Sequence, residues 1–279
     1  MQPKSLTRNL GQIYLSSVIP LVIALGLGLG RLSYEMYLPI CLINAILMIL
    51  SAWILGASSI RSKAPEKKYI VFIATCLIGP WVFIFLFSFL GPPPDAAEFV
   101  ATITEQKVRY AILIMSGIMI TLGLAVLREK LKASGEYFYS TIGYTVFMIA
   151  MPLYIIQIAF YSHFTFELFK IQLASSAEKY PEWFLPVHAQ FSLIGLVEVA
   201  LMYLTTAAFA ASLKSAGWFR KSAGNIYIII SLAAFLLVSF YPLYANAVRS
   251  LGFFPLLIPA VPFIMPFYIG INLLRKAGN

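Results

Sequence analysis

Long runs of apolar residues, separated by short polar connections, dominate this sequence. A helix needs about 20 mostly apolar residues to cross the hydrocarbon core of a bilayer. Eight runs reach that length, and no separate soluble domain fits between any two of them. The pattern predicts an all-α fold, a single transmembrane bundle over residues 1–279, whose spans we number 1 to 8 in chain order. The spans cover about 12–30, 37–58, 69–90, 110–127, 140–162, 187–213, 225–248 and 252–274.

The sequence predicts the structure of two of the connections between spans. The segment between spans 5 and 6, residues 163–186, is the longest, and its apolar residues recur in an amphipathic pattern that is typical of a helix lying at the membrane surface. Only residues 249–251 separate spans 7 and 8, so these two spans are expected to form a tight hairpin.

The basic residues predict the orientation of the chain, because Lys and Arg are retained on the cytoplasmic side. Fourteen of the 20 Lys and Arg residues lie near the two termini or in the even-numbered connections, and six lie in the odd-numbered ones. Both termini are therefore expected in the cytoplasm, which requires an even number of spans and agrees with eight. We expect an integral protein of the plasma membrane.

Composition supports the same class of protein. Hydrophobic residues make up 61% of the chain and charged residues 11%, whereas soluble domains carry about 25% charged residues. An ordinary water-soluble enzyme and a disordered chain are therefore excluded. The net charge of +9 lies in short loops beside helix ends, where topology and anionic lipid headgroups account for it. We therefore expect the lipid bilayer as a partner, and no nucleic acid.

Reactive side chains are scarce. The chain has one Asp, Asp95, two His and two Cys. Paired-aspartate sites and histidine-box iron sites are thus excluded, and no HExxH, GxSxG or GxxxxGK[ST] motif occurs. Cys41 and Cys76 lie in apolar runs, as small buried hydrophobic residues do. We predict no catalytic residue and no required cofactor, and we lean against an enzyme.

Prolines recur in the odd-numbered spans. A proline inside a helix removes a backbone hydrogen bond and kinks the helix. Such a recurrence fits an internal duplication of the kind found in transporters, and it fits equally the general frequency of proline in membrane helices. The four residues are Pro20, Pro80, Pro152 and Pro242.

Glu198 is the strongest single signal for function, because it lies near the middle of span 6. A charged group at mid-bilayer costs about 2.5–3.5 kcal/mol on insertion scales. A carboxyl group at this depth therefore stays protonated or finds a partner. The functional interpretation is a proton-coupling or ligand-binding carboxyl, and the alternative is a protonated glutamic acid that hydrogen-bonds a neighbouring helix.

Other polar residues are placed to share a site with Glu198. Tyr154, Gln157 and Tyr161 recur at helical spacing on one face of span 5. Thr205 follows Glu198 by seven residues and is almost in line with it. These residues predict a polar seam through the bundle, or else interhelical hydrogen bonds worth about 0.6 kcal/mol each.

The two histidines suggest a second kind of site. His163 follows span 5 and His188 begins span 6, so antiparallel packing of these spans would bring both to one depth. Two histidines on facing helices can ligate haem or contribute to a metal site. Histidines at a membrane interface also occur without any ligand.

Three arginines near predicted outer helix ends are candidates for binding an anionic ligand: Arg31, Arg109 and Arg249. Glu35, Glu98 and Glu105 lie close in the sequence and could pair with them, so ion pairing is the simpler interpretation.

The sequence thus favours a small permease or ligand-binding transport protein with an intramembrane polar site around Glu198. One alternative is a structural or regulatory subunit that contacts another membrane protein. The other is a membrane-embedded redox protein that holds haem or metal at His163 and His188. The sequence does not identify the small-molecule ligand.

Overall fold

The structure, a computed structural model, describes residues 3–29, 34–88, 96–174, 182–244 and 263–278. Within these ranges all regular secondary structure is helical. The helices of this part of the chain are α1 (Pro3–Leu29), α2 (Tyr34–Ile60), α3 (Pro65–Ser88), α4 (Ala96–Ala101), α5 (Ile103–Ala133), α6 (Phe138–Ala174), α7 (Phe184–Ser215), α8 (Lys221–Ser239) and α9 (Ile264–Gly278).

Six of these helices, α2, α3 and α5 to α8, are long and apolar enough to cross a membrane. The chain is therefore compatible with a multi-pass membrane protein. Span 1 coincides with α1, which is not one of the six, and residues 252–262 of span 8 lie outside the described residues. The count of eight spans remains a prediction, as do the orientation and the plasma membrane.

The prediction of a separate interfacial helix between spans 5 and 6 was wrong. Residues 163–174 continue α6 without a break, so α6 has 37 residues and a length of roughly 55 Å. No proline or glycine interrupts this extension. Its aromatic side chains pack on neighbouring helices while the helix continues straight on: Phe166 contacts Phe99 of α4, and Phe164 stacks on Phe184 of α7.

Span 7 was predicted too long at its carboxyl-terminal end. Helix α8 ends at Ser239, and Phe240 caps it. Residues 241–244 are helical again after this break, so Pro242 lies in a first turn, where a missing backbone N–H is tolerated. Pro20, Pro80 and Pro152 do lie inside helices. The predicted hairpin at residues 249–251 lies outside the described residues.

Contacts divide the chain into two compact units. Unit 1 comprises Met1–Pro94, Ala111–Leu127 and Pro266–Asn279, and unit 2 comprises Asp95–Tyr110 and Arg128–Met265. The single domain expected from the sequence stays a prediction.

In unit 1, α9 packs against α1, α2 and α3. The Tyr268 hydroxyl donates to the Ser16 carbonyl at 3.1 Å, and the Ser59 hydroxyl donates to the Ala277 carbonyl at 2.7 Å. Gly270 lets α9 approach α3 closely, because a Cβ at this position would lie 3.2 Å from the Ala74 carbonyl oxygen. These contacts hold the ends of α2 and α9 side by side.

In unit 2, α6 and α7 are antiparallel and in contact along most of their length. Glu136, just before α6, reaches Ser212 near the end of α7, and Gly143 packs on Phe209. Further along, Gln157 packs on Gly195, and the rings of Phe160 and Phe191 stack with centroids 3.4 Å apart. Helix α8 packs on the other side of α7 through a core cluster made of Val199, Ala200, Tyr203, Ala234 and Val238.

Glu136 fixes the amino-terminal end of α6. Its buried carboxylate accepts hydrogen bonds from the backbone N–H groups of Tyr139 at 2.8 Å and Ser140 at 3.1 Å, and from the Ser212 hydroxyl. A carboxylate at this position satisfies helix-end donors and interacts favourably with the helix dipole.

We expect Glu136→Ala to lower the free energy of unfolding by about 1–3 kcal/mol, because two helix-end N–H groups and the Ser212 hydroxyl lose their acceptor. The measurement is equilibrium unfolding of the purified protein in mixed detergent micelles. The matched control is Glu129→Ala, which removes an exposed carboxylate with ion pairs to Arg128 and Lys132 and is expected to cost less than about 1 kcal/mol. Equal losses in the two variants would contradict this role of Glu136.

Candidate intramembrane polar site

Glu198 lies on α7, the most buried of the six long apolar helices. Helix α7 is packed between α6 and α8, and its apolar run has no interior proline or glycine beyond Gly195. This position places the Glu198 side chain at 0% exposure. The carboxyl group is thus held away from lipid by protein on both sides of the helix.

The structure places two of the α6 residues that the sequence assigned to this site on the side of α6 that faces α7, near Glu198 or one turn from it. Tyr154 is almost fully buried, and its hydroxyl lies within electrostatic range of the Glu198 carboxyl. Gln157 is buried one turn further along α6 and packs on Gly195, which precedes Glu198 by one turn on α7. Tyr154, Gln157 and Glu198 therefore form one polar group at the contact between α6 and α7.

Gly195 makes this arrangement sterically possible. A Cβ at position 195 would lie 1.9 Å from the Gln157 Nε2 atom and 2.7 Å from its Cδ atom. Any larger residue would therefore displace the Gln157 amide from the polar group. Sequence reasoning missed Gly195, although an isolated glycine facing a predicted polar residue is a recognisable signal for a close approach.

Thr205 lies on the same face of α7 as Glu198, two turns further along and thus roughly 10 Å away along the axis. It is buried. Tyr161, the third residue of the predicted seam, is only half-buried and lies edge-on to the ring of His188. The structure therefore extends the polar face of α7 to Thr205 and separates Tyr161 from Glu198.

Two further hydroxyls lie on the opposite contact, between α7 and α8. Tyr203 belongs to the core cluster with Ala234 and Val238, and its hydroxyl is within electrostatic range of Glu198. Ser231 is fully buried on α8, one turn before Ala234. Neither was singled out from the sequence, because a tyrosine and a serine in apolar runs carry no positional signal of their own.

Several of these buried atoms have no hydrogen-bond partner among the described residues. They are both carboxyl oxygens of Glu198, the Gln157 Oε1 atom and the hydroxyls of Tyr203, Thr205 and Ser231. Buried polar groups in proteins are nearly always hydrogen-bonded, so such a concentration on α7 and the two helices packed against it is unusual. Chemically the group offers a carboxyl that can hold or release a proton, an amide acceptor and hydroxyls that donate or accept.

The two histidines lie at the same end of the α6–α7 pair, and both are exposed. His188 stacks on the ring of Phe184 and lies edge-on to Tyr161. Among the described residues there is no group of three or more His, Cys, Asp and Glu side chains placed to hold a metal ion. The haem or metal site stays a prediction.

The three candidate arginines are only partly covered by the structure. Arg109 is half-buried near the start of α5 in unit 2. Arg31 and Arg249 lie outside the described residues. The predicted anionic-ligand site is therefore not tested.

Comparison of the chain with protein-family models, with curated proteins and with solved structures finds no match. The polar group around Glu198 is therefore the feature of the described residues that points to a function.

Proposed function

We propose that this multi-pass membrane protein is a small proton-coupled permease whose substrate and proton share the polar group around Glu198. Tyr154 and Gln157 would complete the site from α6, and Thr205 would extend it along α7. The observation that carries the proposal is the burial of Glu198 without a hydrogen-bond partner for either carboxyl oxygen among the described residues.

A purely structural carboxyl fits this observation less well. Polar residues that hold membrane helices together do so by hydrogen-bonding across the helix contact. Glu198 lies at such a contact, near Tyr154 and one turn from the Gly195–Gln157 contact, without making such a bond to a described residue. Ionisable groups at membrane depth commonly mark proton or substrate pathways, and neutral Glu198 can deliver its proton only to a ligand, to water or to a neighbouring hydroxyl.

The proposal is tested by recording charge movement in liposomes that contain the purified protein, adsorbed on a solid-supported membrane. Four substrate pools are applied at several pH values: amino acids, sugars, nucleosides and organic cations. We expect one pool to evoke a current that depends on pH. If no pool evokes a current above that of empty liposomes at any pH, the permease proposal is wrong, and the role of a subunit in a membrane complex becomes the better account.

Gly195→Ala should reduce the substrate-evoked current as strongly as Gln157→Ala does, because the new Cβ displaces the Gln157 amide. The cost in stability should be small, since only the end of a flexible side chain has to move. The double variant should be no worse than either single variant, as expected for two changes that remove one interaction.

The matched control for this prediction is Gly11→Ala on α1, where a Cβ would meet the Ser51 backbone at an ordinary distance of 3.4 Å or more. This variant should keep the current of the wild type. Additive losses in the Gly195→Ala and Gln157→Ala pair would show that Gly195 does not act through Gln157.

A further inference from the structure

Unit 1 contains an apolar groove that the Glu198 site does not use. The groove encloses about 200 Å³ between α2, α3 and the end of α9, and its walls are almost wholly apolar. The side chains that define its length include Trp53 and Ile60 on α2 and Val71 and Val82 on α3. Trp53 and Ile60 are exposed, so the groove opens on the outer surface of the helices.

The length of the groove matches one leaflet of a bilayer. Val71 and Val82 are eleven residues apart on one helix, which corresponds to roughly 16 Å. The hydrocarbon core of a bilayer is about 30 Å thick, so one leaflet contributes about 15 Å. A lipid acyl chain of one leaflet can therefore lie along the groove from end to end.

One end of the groove leads directly to basic side chains. Arg61 follows the lining residue Ile60, and Lys68 precedes the lining residue Val71 by one turn. Lys68 therefore continues the row of lining residues that recur at helical spacing on α3: Val71, Thr75, Ile78 and Val82. Both basic side chains are exposed. Glu66 is the acidic neighbour in this turn, and it leaves the end of the groove with a positive charge.

Helix α9 adds to the positive charge at this end. Leu274 lines the groove, and Arg275 and Lys276 follow it in the last turn of α9. The hydrogen bond from the Ser59 hydroxyl to the Ala277 carbonyl fixes that turn beside the end of α2. Basic residues at the ends of α2 and α9 and at the start of α3 thus lie at one end of an apolar groove, the end that the charge distribution predicts to be cytoplasmic.

We infer that this groove binds an anionic phospholipid, with an acyl chain along α2 and α3 and the phosphate at Arg61 and Lys68. Basic pockets between membrane helices bind anionic headgroups in this way. A zwitterionic lipid can fill the apolar groove equally well but lacks the net charge that the basic mouth attracts. The groove lies in unit 1 alone, and lipid binding there does not depend on the proposed permease activity.

The test uses phosphatidylglycerol and phosphatidylcholine with identical acyl chains, added in equal amounts to the detergent-purified protein. Native mass spectrometry counts the lipids that remain bound. Wild-type protein should retain phosphatidylglycerol over phosphatidylcholine by roughly tenfold, and Arg61→Ala/Lys68→Ala should bring this ratio close to one, because both charges at the mouth are lost.

The matched control is Arg220→Ala/Lys221→Ala, which removes two exposed basic residues at the start of α8. It should keep the wild-type ratio. Equal loss of preference in both double variants would overturn the inference, because it would show a general attraction of lipids to basic loops. The same holds if the wild type shows no preference.

The groove itself is tested by Ala52→Phe, which adds a ring at a lining position. This variant should lower the occupancy of both lipids at least fivefold and leave their ratio to one another unchanged. If Ala52→Phe does not fold, Thr75→Phe fills the groove from an exposed lining position and replaces it in the test. Unchanged occupancy in a folded variant with a filled groove would overturn the inference.

Discussion

Glu198→Gln should abolish the substrate-evoked, pH-dependent current and leave the protein folded. Glutamine has nearly the shape of a protonated glutamic acid but cannot release a proton. Because Glu198 is fully buried on α7, which packs against both α6 and α8, a neutral side chain of the same size should preserve the packing of α7. We expect the free energy of unfolding to change by less than about 1 kcal/mol, measured in mixed micelles beside the current.

The control for this prediction is Glu167→Gln, the same substitution at the far end of α6. Glu167 is exposed and pairs with Lys170 at 2.9 Å, and it has no place in the polar group. This variant should retain the wild-type current at every pH. If Glu198→Gln also retains the full current with the same pH dependence, Glu198 does not carry the transported proton, and the proposed mechanism fails.

Phe209→Ala should clearly destabilise the protein, because it removes a buried ring from the contact between α6 and α7. The Phe209 side chain is 1% exposed, and its ring lies 3.0 Å from where a Cβ on Gly143 would be. Truncating a buried phenylalanine costs about 3–5 kcal/mol in soluble cores, through a transfer term and a cavity term. The transfer term largely disappears between membrane helices, because lipid tails are as apolar as the protein interior. We therefore expect a loss of about 1–3 kcal/mol.

The cause of this loss can be separated from other effects by filling the cavity from the opposite helix. Gly143→Leu alone should destabilise the protein, because its side chain collides with the Phe209 ring. Combined with Phe209→Ala it should recover at least half of the lost stability in unfolding experiments. A double variant that is as unstable as the sum of the two single variants would show that Gly143 and Phe209 do not share one packing site.

The parts of the fold that follow from apolar run length were predictable from the sequence. The interiors of spans 2 to 7 coincide with α2, α3 and α5 to α8, because a run of about 20 apolar residues leaves few alternatives to a helix. The ends of the helices were not predictable in the same way. Helix α6 continues to Ala174 because Phe164 and Phe166 find aromatic partners on α7 and α4, and these contacts are invisible in a hydropathy pattern.

The part of the candidate site that could be predicted is the residue whose burial in a membrane costs free energy. Glu198 stands out on that ground, and helical spacing placed Tyr154 and Gln157 on one face. Gly195, Tyr203 and Ser231 were missed, because their roles depend on how closely α7 approaches its two neighbours. Glu136 was missed for a related reason, since its buried position beside Ser212 results from the packing of α6 against α7.

The measurement that tests the central claim most directly is the infrared spectrum of the purified protein, in H₂O and D₂O, compared with that of Glu198→Gln. We predict a protonated carboxylic acid band at neutral pH that shifts in D₂O and is missing in the variant. Such a band would show that Glu198 is neutral and exchanges its proton with water, as a transported proton requires. Absence of the band, or a Glu198 band that does not shift in D₂O, would contradict the account.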